Sequence, residues 1–123
     1  MRVYEITERT PECLAELLAV WERSVRATHT FLSESEILRI RGYVPQALAA
    51  VPQLAVLAED GRLLGFLGAG EGRLEMLFLD PDARGRGLGR ALPTYGLEHY
   101  AIREVTVNEQ NPAALGFYRH FGF

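Results

Sequence analysis

The chain contains no lysine: all thirteen of its Lys-plus-Arg positions are arginine, set against sixteen acidic residues for a net charge of −3. Without a basic excess there is no global positive field to gather nucleic acid, and none is expected as a partner. Without lysine, the Gly-Lys-Ser/Thr phosphate loop of nucleotide hydrolases is excluded outright. Cysteine is nearly absent too. Cys13 stands alone, so an intrachain disulfide is impossible and a four-ligand Cys/His site cannot be assembled from it. No metal is expected. No apolar run approaches the roughly 20 residues of a bilayer-spanning helix, and Met1-Arg2-Val3-Tyr4-Glu5 lacks the charged and apolar regions of a signal peptide. A soluble, cytoplasmic chain with no membrane partner is the expectation. The 123 residues, 48% of them hydrophobic, suffice for one substantial core and not for two, so residues 1–123 read as a single domain.

What is present is concentrated in residues 74–90. Leu74-Glu75-Met76-Leu77-Phe78-Leu79 reads as an apolar strand, Asp80-Pro81-Asp82 as a turn, and Arg84-Gly85-Arg86-Gly87-Leu88-Gly89-Arg90 as a loop of alternating Gly and Arg that runs into a helix starting near Gly87. Glycines let an anion approach the main chain closely, and the first turn of a helix aims unpaired N–H groups at it. Three arginines add local positive charge to an otherwise acidic chain. The stretch reads as a cradle for a phosphate-bearing ligand. The dinucleotide fingerprint G-x-G-x-x-G is excluded, because Gly85, Gly87 and Gly89 are spaced G-x-G-x-G. Arg84-x-x-Gly87-x-Gly89 instead resembles the Q/R-x-x-G-x-G/A signature of the GNAT superfamily, the acetyl-CoA-dependent N-acetyltransferases. A second family-like segment lies downstream, in Val107-Asn108-Glu109-Gln110-Asn111 and Gly116-Phe117-Tyr118-Arg119-His120-Phe121-Gly122-Phe123.

The remaining sequence supplies an α/β pattern around this stretch. Arg2–Ile6 alternates as a strand. Thr10-Pro11 suits the cap and first position of a helix, with Leu14, Leu17, Leu18, Trp21 and Val25 on one face, most simply core, although Trp21 has the size to reach a pocket edge. Ser33 and Glu36 have capping-box spacing for a second helix, interrupted by Gly42 and Pro45, and a short helical piece then ends at Pro52. Asp60-Gly61 between Leu54–Glu59 and Leu63–Gly68 predicts a type I′ hairpin. Gly65, Gly68, Gly70 and Gly72 leave the second strand bare enough for close approach of a ligand or another backbone. Arg73–Leu79 is the next strand. Pro93, in the second turn of a helix begun near Gly87, predicts a kink or local break. Glu104–Val107 reads as a strand, and Asn111-Pro112 opens a last helix through Phe121. The order β-α-α-β-β-β-α-β-α matches the mixed-sheet GNAT fold.

The resemblance implies roles for particular residues. Acetyl-CoA is the implied co-substrate, its pyrophosphate on Arg84, Gly85, Arg86, Gly87, Leu88, Gly89 and Arg90, and its pantetheine arm along Leu77, Phe78 and Leu79, where a main-chain N–H polarises the thioester carbonyl. Asn108 is implied to touch that arm, a turn asparagine being the alternative. Tyr118 takes the place of the family's tyrosine that protonates the leaving sulfur; its ordinary pKa of about 10 lies above the thiol's roughly 8.5, and a core tyrosine is the alternative. Two residues are candidates for the base. His29 lies in the segment implied to form the acceptor wall, where a structural or solvent-exposed histidine is the competing reading. Glu75 lies on the cofactor strand, where Leu74 and Met76 on the opposite face leave it as the solvent-side residue of the alternation. His99 and His120 read as surface residues.

The implied activity is transfer of an acetyl group to a primary amine by direct attack in a ternary complex, the acceptor being a small molecule or a peptide. A non-catalytic acyl-CoA-binding regulatory module is the alternative. The family pattern continues with one or two more strands beyond the last residue here; either a second copy of the chain covers the sheet edge left without them, which is the expectation favoured, or the sequence is a shortened form of a longer protein.

Overall fold

A computed structural model describes residues 1–28, 32–83 and 88–105. Its elements are β1 (Arg2–Glu5), α1 (Pro11–Thr28), α2 (Glu34–Arg41), α3 (Val44–Ala50), β2 (Gln53–Glu59), β3 (Arg62–Gly70), β4 (Arg73–Leu79), two 3-10 turns (Pro81–Ala83 and Leu88–Arg90), α4 (Ala91–His99) and β5 (Glu104–Val105). The last helix expected from Asn111 lies outside the described residues.

The five strands form one sheet in the order β1-β2-β3-β4-β5, antiparallel except for the parallel β4–β5 pair. Two-residue turns join β2 to β3 and β3 to β4. Asp60 and Gly61 have φ of 52° and 76°, the left-handed geometry that type I′ turns need, and Glu71 and Gly72 repeat it at 55° and 76°. The second turn escapes the sequence reading, which takes Gly70 and Gly72 only as a bare strand exit.

Helices α1 to α3 cover one face and α4 the other. Leu17, Val20, Trp21, Leu48, Val56 and Phe66 belong to the first layer, and Leu57, Leu67, Leu74, Leu88 and Leu92 to the second. Trp21 is core and not a pocket edge. Gly96 lets α4 sit close to the sheet, since a Cβ there would lie 2.7 Å from Ile102 Cδ1 and 3.1 Å from Leu67 Cδ1.

Two bulges organise the sheet. Leu57 and Ala58 pair with Gly65 and Leu63, which leaves Leu64 as an extra residue in β3; Gly68 and Ala69 pair with Met76 and Leu74, which leaves Glu75 as an extra residue in β4. One inserted residue reverses which face the following side chains take. Leu74 therefore packs with Leu77 and Leu79 in the α4 layer, whereas Met76 and Phe78 pack in the α1 layer. This corrects the expectation that Leu74 and Met76 share a face: Glu75 is the inserted residue of a bulge, not the outer member of a regular alternation.

One further expectation is revised and another is made specific. Pro93 is the third residue of α4, in a first turn whose N–H groups have no partner one turn back, so it causes no kink; the break falls earlier, where Leu88–Arg90 is a 3-10 turn. The bare strand glycines admit both the neighbouring backbone expected and side chains from the adjacent elements. A Cβ on Gly65 would meet Leu79 Cδ1 and Phe78 O at 2.9 Å, and one on Gly70 would meet Pro52 Cγ at 2.8 Å.

Candidate active site

The strand-turn-helix segment expected to bind the anion is built from β4, the turn Pro81–Ala83, the turn Leu88–Arg90 and α4. Residues 84–87, which are Arg84, Gly85, Arg86 and Gly87, lie outside the described residues; both flanks are described. Ala83 and Leu88 are buried in the same apolar layer as Leu79 and Leu92, so the two ends of the loop sit on a common floor. Gly89 is half-buried and Arg90 exposed at the head of α4.

The chemistry of that helix start is distinctive. At α1, Thr10 Oγ1 accepts from the Cys13 N–H at 3.1 Å; at α2, Ser33 Oγ accepts from the Glu36 N–H at 3.2 Å while Glu36 Oε1 accepts from the Ser33 N–H at 3.1 Å. No side chain caps α4, whose preceding residue is Arg90. No residue from 83 to 93 carries a side-chain acceptor, and three of them are arginines. A helix start with positive side chains and no acceptor of its own suits an anionic ligand. The donor set therefore fits a diphosphate.

Upstream, Leu77, Phe78 and Leu79 are half-buried on β4 after the bulge, and the described pairs between β4 and β5 are Arg73 with Glu104 and Leu74 with Val105. The bulge thus falls just beyond the last described β4–β5 pair. Glu75 is exposed at that point. His29, Asn108 and Tyr118 lie outside the described residues; Glu75, Leu77, Phe78 and Leu79 follow one another on β4, and Gly89 lies next to Leu79, a Cβ there falling 3.8 Å from Leu79 Cδ2. His99, exposed at the end of α4, stacks on Tyr95 at 4.1 Å between ring centroids.

One residue at this site escapes the sequence reading. Asp80 is only 1% exposed, yet it bonds to Arg23 of α1, to Arg62 of β3 and to the backbone of its own turn. Burial opposes its ionisation, but the Asp82 N–H and the Arg23 and Arg62 guanidinium groups outweigh that, and its pKa lies below the ordinary carboxylate value. The available signal was a carboxylate between an apolar strand and a proline; its arginine partners are remote in sequence. Cys13 is half-buried in the first turn of α1, and burial, reinforced by Glu16 and opposed by Arg9, pushes its thiol pKa up. A raised pKa lowers the fraction present as reactive thiolate. Among the described residues there is no group of three or more His, Cys, Asp or Glu able to hold a metal, and no helix long and apolar enough to cross a membrane.

Comparison with known proteins agrees with this geometry. The family model for the acetyltransferase (GNAT) domain matches residues 26–123. The chain is 39% identical over 108 residues to the peptidyl-lysine N-acetyltransferase YjaB of Escherichia coli (strain K12), covering 88% of this chain and 74% of that protein. It is 34% identical over 111 residues to the peptidyl-lysine N-acetyltransferase YiaC of the same strain, covering 89% and 76%. The solution structure of apo-form YjaB from Escherichia coli superposes with a TM-score of 0.81 at 37% identity, over 98% of this chain and 82% of that one. At 19% identity, the PaiA N-acetyltransferase of Thermoplasma acidophilum in complex with coenzyme A shares the fold, with a TM-score of 0.69 over 98% and 88% of the two chains.

Proposed function

This chain belongs to the GNAT acetyltransferase family, whose reaction moves the acetyl group of acetyl-CoA to an amine, and on that premise we propose that its acceptor is the side-chain amine of a lysine in a peptide or protein. The names of two relatives above 30% identity, each matched over most of its length, support that acceptor. The single observation in this molecule that supports the donor site is the α4 start: three arginines and no acceptor side chain over residues 83–93.

The residues divide the work as follows. Backbone N–H groups of residues 84–90 and the Arg84, Arg86 and Arg90 side chains bind the diphosphate. The main chain of Leu77, Phe78 and Leu79 lies beside the pantetheine arm, and one of its N–H groups polarises the thioester carbonyl where negative charge develops. The Asn108 amide contacts the arm. Tyr118 gives its phenolic proton to the departing sulfur, and His29 or Glu75, directly or through water, takes a proton from the acceptor's ammonium so that the neutral amine can attack. Attack is direct, in a ternary complex; the raised thiol pKa of Cys13, the sole cysteine, argues against an acyl-cysteine. The whole of residues 1–123 acts as one domain in this scheme.

The test uses three peptides with the purified chain and acetyl-CoA: a blocked peptide with one lysine, the same peptide with arginine in its place, and that arginine peptide with a free N-terminus. The expected outcome is release of free thiol and gain of one acetyl mass on the lysine peptide alone. Acetylation confined to the free N-terminus overturns the lysine assignment. Saturable CoA binding with no amine-dependent thiol release favours the regulatory module instead.

A further inference from the structure

We propose that Asp80, paired with Arg23 of α1, is a positioning residue for the diphosphate-binding loop, fixing where that loop leaves the sheet; this rests on the donor-site reading above. Every polar atom of Asp80 is engaged. Its Oδ2 accepts from Arg23 Nε at 2.6 Å and from Arg62 Nη2 at 3.4 Å, and its Oδ1 accepts from the Asp82 N–H at 2.9 Å. Its own N–H donates to the Leu64 carbonyl at 2.7 Å, and its carbonyl accepts from the Ala83 N–H at 2.9 Å.

These contacts reach three elements. Leu64 is the inserted residue of the β3 bulge, and the neighbouring Leu63 N–H donates to Glu16 Oε2 of α1 at 3.0 Å. Glu16 and Arg23 are seven residues apart, two helical turns on one face. α1 therefore grips the β3 bulge with one side chain and the end of β4 with the other. Arg62 also reaches Asp82 at 3.2 Å, so residues 80–83 are tied to β3 and α1 just before the loop.

A bare carboxylate next to a diphosphate site would repel the ligand. Here the two acidic groups, Asp80 and Asp82, meet two guanidinium groups, Arg23 and Arg62, and Asp80 is buried. The cluster contributes no net charge to the site. Its contribution is geometric: it sets the backbone that presents the following N–H groups, which matters because binding by main-chain donors depends on their alignment.

The test is calorimetric titration of CoA into the full chain and four variants. Arg23 is substantially exposed, so Arg23→Gln removes the pairing without touching the core; Asp80→Asn removes it from the other side, and Arg23→Lys restores the charge. Arg73→Gln, which cuts a surface ion pair with Glu104, is the control. The expected result is a CoA Kd raised about tenfold in Arg23→Gln and Asp80→Asn with one site per chain retained, partial recovery in Arg23→Lys, and no change in Arg73→Gln. A Kd within about twofold of wild type in both variants overturns the proposal, as does an unchanged Kd with fewer sites, the signature of a merely structural role. If the unaltered chain forms no saturable complex with CoA, the donor-site reading falls and this inference with it.

Discussion

Two helices of this chain begin in opposite ways. α2 closes its own N-terminus: Ser33 and Glu36 exchange side-chain and backbone bonds, and acidic residues fill its first turn. α4 is preceded by Leu88, Gly89 and Arg90, none of which has a side chain that can accept a bond from the helix. α3 also lacks a side-chain cap, but it opens from a tight turn with Pro45 near its start and no run of arginines. The contrast separates a helix that caps its first N–H groups with its own side chains from one that offers no side-chain acceptor at its start, an arrangement that suits an anionic ligand.

The strongest way to break this contrast is to give α4 what α2 has. Gly87→Asp places a carboxylate just ahead of Leu88, where it can compete for the same donors and repel a diphosphate. Like charges brought together at a binding site cost several kcal/mol, so acetyl-CoA affinity should fall roughly a hundredfold without a drop in Tm. Unchanged affinity by calorimetry would place the diphosphate elsewhere. The reciprocal change has a smaller and opposite signature. Ser33→Ala removes the α2 cap and should cost about 1 kcal/mol of stability in chemical denaturation, while the CoA Kd stays at the wild-type value.

The same contrast explains what could be read from the residues alone. The α2 box, the Asp60-Gly61 turn and the bounds of β4 were legible because each depends on chemistry a few residues wide. The Gly-Arg loop stands out in the sequence for a related reason, since binding by main-chain N–H groups demands bare residues in a row, but residues 84–87 lie outside the described residues. The bulges were not. Leu63-Leu64-Gly65-Phe66-Leu67 is apolar on both faces, so its pattern contains no parity from which an inserted Leu64 could be inferred. Glu75 was misread for the same reason, as its neighbours Leu74 and Met76 are apolar whichever way they point. Pro93 seemed disruptive only because the α-helix was started four residues too early. Asp80 was invisible as an anchor because Arg23 lies 57 residues away, and only the packing of α1 brings the two together.

The mildest test acts through pH on the self-capped helix alone. The Ser33 backbone N–H, and secondarily its side chain, favour the ionised form of Glu36 and hold its pKa below the ordinary carboxylate value. A carboxyl whose folded pKa is depressed contributes stability that is present above its unfolded pKa and is lost as pH falls through the folded one. Glu36→Gln keeps an acceptor for the Ser33 N–H but has nothing to titrate. The stability gap between wild type and Glu36→Gln, measured by urea denaturation, should therefore be greatest near neutrality and shrink as the medium is acidified through the carboxylate range. A gap that stays constant across that range would mean the carboxylate does not sense the Ser33 donor, and the self-capped half of the contrast would rest on the Ser33 hydroxyl alone.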